Sequence, residues 1–279
     1  MQTPSINRDQ ILTHLRTAME PLEPVLAMWE GGAAAFNRVD EWSDIDLQFA
    51  VEDDAVDQVI ETLFNSLNQI GSIHLRYDIP MPAWHGHWQT FIHLTDTDPF
   101  LVLDIVIMRV SNPAKFLEKE IHGYQKIHFD KTGIIKENPE FNRKAHLDII
   151  RKRLETLPVV FNLFQVFIEK EIHRNNPIEA LSYYQAMTLR PLMELLRIVF
   201  SPQHYNFNTR YIYTELPQEV INRLEPLYFP VGLTDISIKR QQAQEFFDEM
   251  LKKADLKLIN QSLNTFCDSM NDSQKLSNQ

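Results

Sequence analysis

The segment WEGGAAAFNRVDEWSDIDL, residues 29–47, decides the fold that we predict for this chain. Glycine is scarce, with 7 in 279 residues, against an average usage of roughly 7%. Two of the seven, Gly31 and Gly32, stand side by side at the end of an apolar run. Asp44 and Asp46 open a second apolar run, so the segment predicts two strands joined through a turn and a short helix at the glycine pair.

Asp44 and Asp46 place two carboxylates on one face of the second predicted strand. Side chains alternate across a strand, so residues two apart point to the same side. Two carboxylates at this spacing repel each other unless a positive charge lies between them. Mg²⁺ is a natural occupant because it prefers oxygen ligands.

A third carboxylate lies in the middle of the strand predicted over residues 101–108. Asp104 is the one charged residue in that apolar run. Burying an unpaired carboxylate is costly, so we expect Asp104 to have a partner. A metal ion shared with Asp44 and Asp46 would supply it, and a structural ion pair is the alternative.

The order of these elements resembles the nucleotidyltransferase superfamily, whose catalytic domain has a DNA polymerase beta-like fold. In that family a Gly-Gly or Gly-Ser pair precedes an Asp-x-Asp that opens a strand, and a lone Asp follows in a later strand. The resemblance covers roughly residues 20 to 135 by motif. Residues 136–279 resemble, more loosely, the helical domain of aminoglycoside- and lincosamide-type nucleotidyltransferases.

The resemblance implies how the chain would bind its nucleotide. Gly31 and Gly32 would begin a short helix that holds a nucleoside triphosphate, and Ser43 matches a further nucleotide-binding position. Many members of the family carry Ser where this chain has Gly32. A hydroxyl contact to phosphate is then missing, although backbone N–H groups can still serve. An ordinary turn at the glycine pair and at Ser43 is the alternative.

The resemblance also implies a metal centre. The residues that would bind two Mg²⁺ ions and carry catalysis are Asp44, Asp46 and Asp104. The first two would hold the ion bound to the NTP co-substrate, which we expect to be ATP. Asp104 would complete the second site and help to deprotonate the acceptor.

The net charge of −11 is placed unevenly along the chain. Residues 1–135 hold 9 Lys or Arg and 20 Asp or Glu, whereas residues 136–279 hold 18 of each kind. Nucleic-acid binders generally show a basic surface, so this balance argues against a nucleic-acid partner. It favours a cationic acceptor, although solvated surface acids would give the same count.

Length and composition are those of a globular protein. The 279 residues suggest one large or two ordinary domains, and 44% of them are hydrophobic. No apolar run reaches membrane-spanning length, and the N-terminal residues lack the pattern of a signal peptide. The single cysteine, Cys267, excludes an internal disulfide. We expect a cytoplasmic protein with no membrane partner, and the sequence leaves its oligomeric state open.

Periodicity predicts an α+β fold with two domains. Residues 1–135 would form the nucleotidyltransferase catalytic domain, a mixed sheet with flanking helices. Residues 136–279 would form an all-helical bundle that binds the acceptor, with a cleft between the two domains. Helices are predicted near 140–156, 158–174, 177–200, 217–226, 235–254 and 256–270. Pro191 should kink or split the third of these near Arg190.

A group of histidines and a polar loop have more than one interpretation. His85, His87 and His93 share strand parity with Gln89, and we expect them to line the cleft or to face solvent. A transition-metal site there is disfavoured because no Cys or carboxylate joins them at ligand spacing. The polar-aromatic segment 201–211 is typical of a functional loop and equally of an ordinary connector.

Together these features predict an Mg²⁺-dependent nucleotidyltransferase. It would move a nucleoside monophosphate from an NTP to a hydroxyl of a small-molecule acceptor, such as an aminoglycoside-like antibiotic, and release pyrophosphate. Two alternatives stay open: transfer of the nucleotide to a protein hydroxyl, and an inactive module that only binds NTP. Candidates for a phosphate contact are Arg190, Arg210 and Lys126.

Overall fold

The chain divides into two compact units, Met1–Phe141 and Asn142–Gln279. The computed structural model describes residues 6–135 and 139–277. The division falls shortly after the domain boundary expected from the sequence. In the described ranges, no helix has both the length and the apolar character needed to cross a membrane.

A mixed six-stranded sheet is the centre of the N-terminal unit. Its strands are β1 (Val25–Glu30), β2 (Ile45–Val51), β3 (Ile73–Asp78), β4 (Trp88–Leu94), β5 (Leu103–Arg109) and β6 (Lys126–Asp130). They are ordered β3-β4-β5-β2-β1-β6 across the sheet. Strand β2 pairs with β5 in parallel, and the other neighbouring pairs are antiparallel. The mixed sheet with its helices confirms the predicted α+β class.

Helices pack on the sheet of the N-terminal unit. They are α1 (Arg8–Met19), α2 (Gly32–Ala35), α3 (Val56–Ile70) and α4 (Lys119–His122). Helix α1 begins with a reciprocal cap: the N–H of Gln10 donates to Asn7 Oδ1 at 3.0 Å, and the N–H of Asn7 donates to Gln10 Oε1 at 2.8 Å. This reciprocal pairing satisfies two donors that the helix itself leaves unpaired.

Strand β2 has a different environment on each of its two faces. Alternate residues, beginning with Ile45, are fully buried in the apolar core that α1 and α3 share with the sheet. The opposite face carries Asp46 and then Gln48, before Ala50 joins a second, smaller apolar cluster. The period of two therefore leaves polar side chains on one face at the start of the strand.

The C-terminal unit is helical in its described residues. Its helices are α5 (Arg143–His173), α6 (Pro177–Tyr184), α7 (Arg190–Phe200), α8 (Ile212–Glu215), α9 (Gln218–Leu224), α10 (Gly232–Lys253) and α11 (Leu256–Ser277). Its core includes Phe161 of α5 stacked on Phe247 of α10, with ring centroids 3.8 Å apart. Cys267 is fully buried, as an apolar helical position predicts.

The predicted break between residues 156 and 158 is wrong, because α5 runs through Pro158 without interruption. A proline inside a helix costs about 3 kcal/mol, since it removes one hydrogen bond and crowds the preceding turn. Leu157 and Phe161 next to it are buried in the core. Burial of two such side chains contributes about 1.5–3 kcal/mol each, which is enough to keep the helix continuous.

The predicted interruption near Arg190 is confirmed. A π-helical segment, Gln185–Leu189, separates α6 from α7, and Pro191 is the second residue of α7. A π-helical turn inserts an extra residue into the hydrogen-bond ladder. The missing N–H of Pro191 thus falls at a point where the regular ladder is already broken.

The first part of segment 201–211, from Ser201 to His204, is buried, whereas Asn206 and residues 208–210 are exposed. Arg197 of α7 is fully buried, and its guanidinium donates to the carbonyl oxygens of Asn208 (2.5 Å) and Arg210 and to Glu215 Oε2 (2.8 Å). Burial raises the pKa of Glu215, but contacts with His204 and Arg197 lower it overall to about 2. This buried charge network anchors the segment to α7.

Candidate active site

Asp46 and Asp104 are direct neighbours across the parallel strands β2 and β5. The register pairs Ile45 with Leu103 and Asp46 with Asp104, so both carboxylates lie on the same face of the sheet. Two residues separated widely in sequence are thereby brought side by side.

Asp44 lies at the entrance to β2 and is exposed. The N–H of Ile45, the next residue, donates to the carbonyl oxygen of Val102 at 2.9 Å, which fixes the start of β2 against β5. Arg8 of α1 donates to the carbonyl oxygen of Asp44 at 2.5 Å. The main chain at Asp44 is therefore held from two sides while its side chain faces solvent.

The glycine pair packs directly on Asp46. The N–H of Gly31 donates to the main-chain oxygen of Asp46 at 2.9 Å. Gly32 has a φ of +49°, and a Cβ atom there would lie 1.8 Å from Asp46 Oδ2. Left-handed backbone and lack of space both require glycine at this position. The departure from the Ser found in many members of the resembled family thus has a local steric reason.

Gln89 on β4 is a site residue that the sequence did not reveal as one. Its Nε2 donates to Asp104 Oδ1 at 2.7 Å. His85 Nε2 lies 3.1 Å from Gln89 Oε1, and His85 Nδ1 accepts the N–H of His87 at 3.0 Å. Since Nδ1 is an acceptor, Nε2 carries the hydrogen and donates to Gln89. The only sequence signal was the parity that Gln89 shares with these histidines.

The pKa of Asp104 is raised to about 6. Burial is the main cause, and the negative charges of Asp46 and Asp44 add to it. The hydrogen bond from Gln89 works in the opposite direction and stabilises the charged form. In the metal-free protein, Asp104 therefore gains or loses its proton close to neutral pH.

The expectation that the three histidines line a cleft or face solvent is wrong for His87. His87 is buried, and its Nε2 donates to the carbonyl oxygen of Ala114. Burial lowers the pKa of His87 and keeps it neutral. This histidine holds the loop around Ala114 against β4, a role that strand parity alone does not indicate.

Glu30, at the end of β1, is fully buried directly before the glycine pair. It pairs with Arg8, with His128 Nε2 at 3.0 Å and with Lys126 Nζ at 3.2 Å. Burial raises the pKa of Glu30, but these partners lower it overall to about 2. Because Arg8 also binds the main chain at Asp44, this charge cluster fixes the glycine turn relative to the acidic residues.

Ser43 has its hydroxyl engaged within its own turn. Ser43 Oγ donates to Asp40 Oδ1 at 2.7 Å and accepts the N–H of Asp40 at 2.9 Å. This is the ordinary turn that the Ser-Asp pattern also suggested. Binding of a nucleotide by Ser43 stays a prediction, and it would require this hydroxyl to change partner.

The acidic residues fit Mg²⁺ in donor type and charge. Their donors are carboxylate oxygens, which this hard cation prefers, and a cation would offset the repulsion that raises the pKa of Asp104. Among the described residues, no three His, Cys, Asp or Glu side chains are gathered as a metal site. Asp104 Oδ1 is turned to Gln89, and Asp46 Oδ2 lies against Gly32. The shared three-carboxylate cage stays a prediction.

No protein-family model matches the chain, and no curated protein matches its sequence. Solved structures do match it. The chain is similar to two adenyltransferases of known structure. An aminoglycoside 6-adenyltransferase from Bacillus subtilis shares 12% identity over 94% of this chain and 96% of its own, with a TM-score of 0.35. A spectinomycin adenyltransferase from Enterococcus faecialis, solved with ATP and spectinomycin, shares 12% identity over 92% of this chain and 100% of its own, also with a TM-score of 0.35.

The C-terminal unit contains a polar cavity of about 250 Å³. It is lined by Arg153, Arg190, Glu194, Tyr205, Asn206 and Asn208. Arg153 and Glu194 form a two-point ion pair with distances of 2.5 and 2.8 Å, which leaves the exposed Arg190 as the further cation of the cavity. Arg190 is one of the residues that the sequence suggested for a phosphate contact.

Replacing Asp104 with Asn should stabilise the metal-free protein at neutral pH but not at acidic pH. Its pKa of about 6 lies above the ordinary value of 3.8, so the folded state retains a proton that the unfolded state releases. Stability is therefore lost as the pH rises through this window, and the loss is complete above it. We expect Asp104→Asn to raise the melting temperature by about 6–12 °C at pH 8 and to leave it unchanged below pH 4.

The measurement is thermal unfolding in EDTA at several pH values. Asp54→Asn is the matched control because Asp54 is an exposed acid of the same unit. It should shift the melting temperature little at any pH. A gain for Asp104→Asn that is equal at pH 4 and pH 8 would contradict the assigned cause.

Proposed function

We propose that this protein is an Mg²⁺-dependent nucleotidyltransferase, which moves a nucleoside monophosphate from an NTP, with ATP expected, to a hydroxyl of a small-molecule acceptor. One observation carries the proposal: Asp46 and Asp104 are neighbours on parallel strands, and the Gly31–Gly32 turn packs on Asp46. The glycine pair, Asp46 and Asp104 are thereby brought to one place.

The proposed metal centre is built from the acidic residues. Asp44 and Asp46 would hold the nucleotide-bound Mg²⁺, and Asp104 would complete a second site. Bound Mg²⁺ would supply neutralisation of the phosphate charge and activation of the attacking oxygen. Removal of the ions with EDTA should abolish activity.

The chain's own groups have separate tasks in the reaction. The N–H groups in the first turn of α2 have no acceptor within the helix, so they can donate to the triphosphate. Asp104, the neighbour of Asp46 on the sheet, would accept the proton of the acceptor hydroxyl. The acceptor oxygen then bonds to the α-phosphorus, the bond from that phosphorus to the bridging oxygen breaks, and pyrophosphate leaves.

The charge of the N-terminal half favours a cationic acceptor. Residues 1–135 carry 20 acidic and 9 basic side chains, which leaves them eleven charges negative. Such a field attracts cations and repels anions over about a Debye length, roughly 8 Å at physiological salt. A hydroxylated cationic small molecule such as an aminoglycoside fits this field better than RNA. We assign binding of the acceptor to the helical unit.

The test is a panel of acceptors incubated with labelled ATP, GTP or CTP. The panel contains aminoglycosides, spectinomycin, lincosamides, neutral sugars, tRNA and a hydroxyl-bearing protein. We expect transfer to a cationic small molecule, with a rate that falls as the salt concentration rises, because salt screens the attraction.

Other results would separate the alternatives. Salt-insensitive transfer to tRNA or to a neutral sugar would overturn the assigned acceptor class while keeping the reaction. Label on the protein would indicate nucleotide transfer to a protein hydroxyl. Calorimetric binding of NTP without release of pyrophosphate on any acceptor would indicate a binding module and would overturn the proposed function.

A further inference from the structure

A straight row of side chains crosses the sheet at the acidic pair. Asp46 on β2 is the register partner of Asp104 on β5. Asp104 is also the partner of Phe91 on β4, which in turn is the partner of Tyr77 on β3. Register partners on neighbouring strands point to the same face of a sheet. Phe91 therefore lies next to Asp104, and Tyr77 lies two strands away from it, or roughly 10 Å, at the edge of the sheet. We call Phe91 and Tyr77 the aromatic row.

The exposed aromatic side chains of the N-terminal unit are linked to the acidic residues. In the described part of that unit, the exposed Phe, Tyr and Trp residues are Trp42, Tyr77, Trp84 and Phe100. Trp42 stands two residues before Asp44 and packs edge to face on Phe100, with ring centroids 4.9 Å apart. Trp84 packs on His85, which is hydrogen-bonded to Gln89, the partner of Asp104. Clustered exposed apolar surface marks a binding site.

The face that carries the aromatic row has carboxylates at one end and no Lys or Arg side chain from β3, β4 or β5. Arg76 of β3 lies on the opposite face, where it covers the ring of Phe64 at 3.7 Å and donates to Asp78 at 2.8 Å. By strand alternation, Arg109 of β5 also lies on that opposite face. The strands therefore supply no cation of their own to the aromatic row. Such a surface attracts cations, because the faces of aromatic rings are negative.

In-line displacement places the acceptor on this side of the acidic pair. In the proposed function, the triphosphate lies at the glycine turn, which follows β1 and packs on Asp46. The attacking and leaving oxygens of such a transfer lie roughly in line, on opposite sides of the phosphorus. Because pyrophosphate leaves toward β1, the acceptor hydroxyl approaches Asp104 from the side of β4 and β3. The aromatic row lies on that side.

We propose that the aromatic row binds the part of the acceptor that carries the reacting hydroxyl, and that it selects hydroxylated rings bearing ammonium groups. Phe91 packs against the reacting ring beside Asp104, and Tyr77 receives an ammonium group of the next ring over its aromatic face. This inference rests on the proposed function, and it adds contacts from the N-terminal unit to the acceptor binding assigned to the helical unit. The two aromatic residues determine specificity and take no part in proton transfer.

The experiment measures transfer of labelled AMP from ATP by the full-length protein, with separate KM values for ATP and for the acceptor. The probes are kanamycin, which has several linked rings with amino groups, and deoxystreptamine, its central ring. We expect Phe91→Leu to raise the acceptor KM about 10-fold for both probes. Tyr77→Leu should raise it about 3-fold for kanamycin alone, because a single ring at Asp104 does not reach Tyr77. The kcat and the KM for ATP should not change, since only binding of the acceptor is lost.

Ile127→Ala is the control, because Ile127 is an exposed apolar residue of β6, at the opposite edge of the same sheet. It should leave the acceptor KM unchanged. Thermal unfolding shows whether Phe91→Leu retains the wild-type stability. Tyr77 is 58% exposed, so Tyr77→Leu tests the aromatic row without a change to the core.

The outcomes separate this inference from the proposed function. Transfer to kanamycin with a wild-type acceptor KM in both Phe91→Leu and Tyr77→Leu would overturn the aromatic row and leave the proposed function standing. Transfer to neutral sugars or tRNA but to neither probe would do the same. Absence of pyrophosphate release with every acceptor would overturn the proposed function, and the aromatic row with it.

Discussion

Replacing Asp46 with Asn is expected to abolish nucleotide transfer while the protein stays folded. The substitution removes one carboxylate of the Asp46–Asp104 pair but keeps the size of the side chain that packs at Gly32. Mutation of residues that only support a metal ligand typically lowers activity 10- to 100-fold, so loss of Asp46 from the proposed metal site should cost at least about 100-fold. Without Mg²⁺ the melting temperature should stay equal or rise, because Asp104 loses a like-charged neighbour.

The measurements are pyrophosphate release, calorimetric titration with NTP and Mg²⁺, and thermal unfolding. Asp54→Asn changes the same kind of group at an exposed position of the same unit and should behave as the wild type. Release of pyrophosphate by Asp46→Asn at the wild-type rate would show that the acidic pair does not carry the reaction.

Replacing Arg197 with Met is expected to destabilise the C-terminal unit strongly. The guanidinium is fully buried and donates to two carbonyl oxygens and to Glu215. Removing one partner of a buried ion pair costs about 3–5 kcal/mol, because the other partner stays buried with unsatisfied bonding capacity. For a unit of this size the unfolding midpoint should fall by about 10 °C.

Two spectroscopic signals separate this effect from a loss of the whole fold. All four Trp residues lie in the N-terminal unit, at positions 29, 42, 84 and 88, so their fluorescence reports on that unit. Circular dichroism at 222 nm reports mainly on helices. Arg197→Met should lower the midpoint of the dichroism transition and leave the fluorescence transition in place.

The control for this prediction is an exposed ion pair. Arg151 pairs with Asp148 at 3.0 Å, and both side chains are about half exposed. Such pairs contribute less than about 1 kcal/mol, so Arg151→Met should lower the midpoint by at most about 2 °C. Equal effects of Arg151→Met and Arg197→Met would contradict the assigned role of the buried guanidinium.

Local sequence patterns were sufficient to predict most of the helices and strands that position the site. Strands β2 (Ile45–Val51) and β4 (Trp88–Leu94) each follow a local run of apolar residues. Asn7 caps α1 through Gln10 as the capping pattern indicates. These features depend on residues that are only a few positions apart, so they can be predicted from a short stretch of sequence without the rest of the chain.

Contacts between distant elements could not be predicted from local sequence patterns. Gln89 binds Asp104 because β4 lies next to β5, and Glu30 is buried among the side chains of Arg8 on α1 and of Lys126 and His128 on β6. Neither residue stands out in its own segment. Pro158 shows the same limit, since a helix breaker by local rules is retained in α5 by burial of its neighbours.

The sequence by itself determined the α+β class and the order of the glycine pair, Asp44, Asp46 and Asp104. Tertiary structure alone decided that Asp46 and Asp104 share one register position, that Gly32 leaves no space for a side chain, and that the pKa of Asp104 rises to about 6. The physical reason is the distance along the chain over which each property acts. Periodicity and capping are short-range properties of the chain, whereas burial, strand register and charge repulsion depend on which distant segments come into contact.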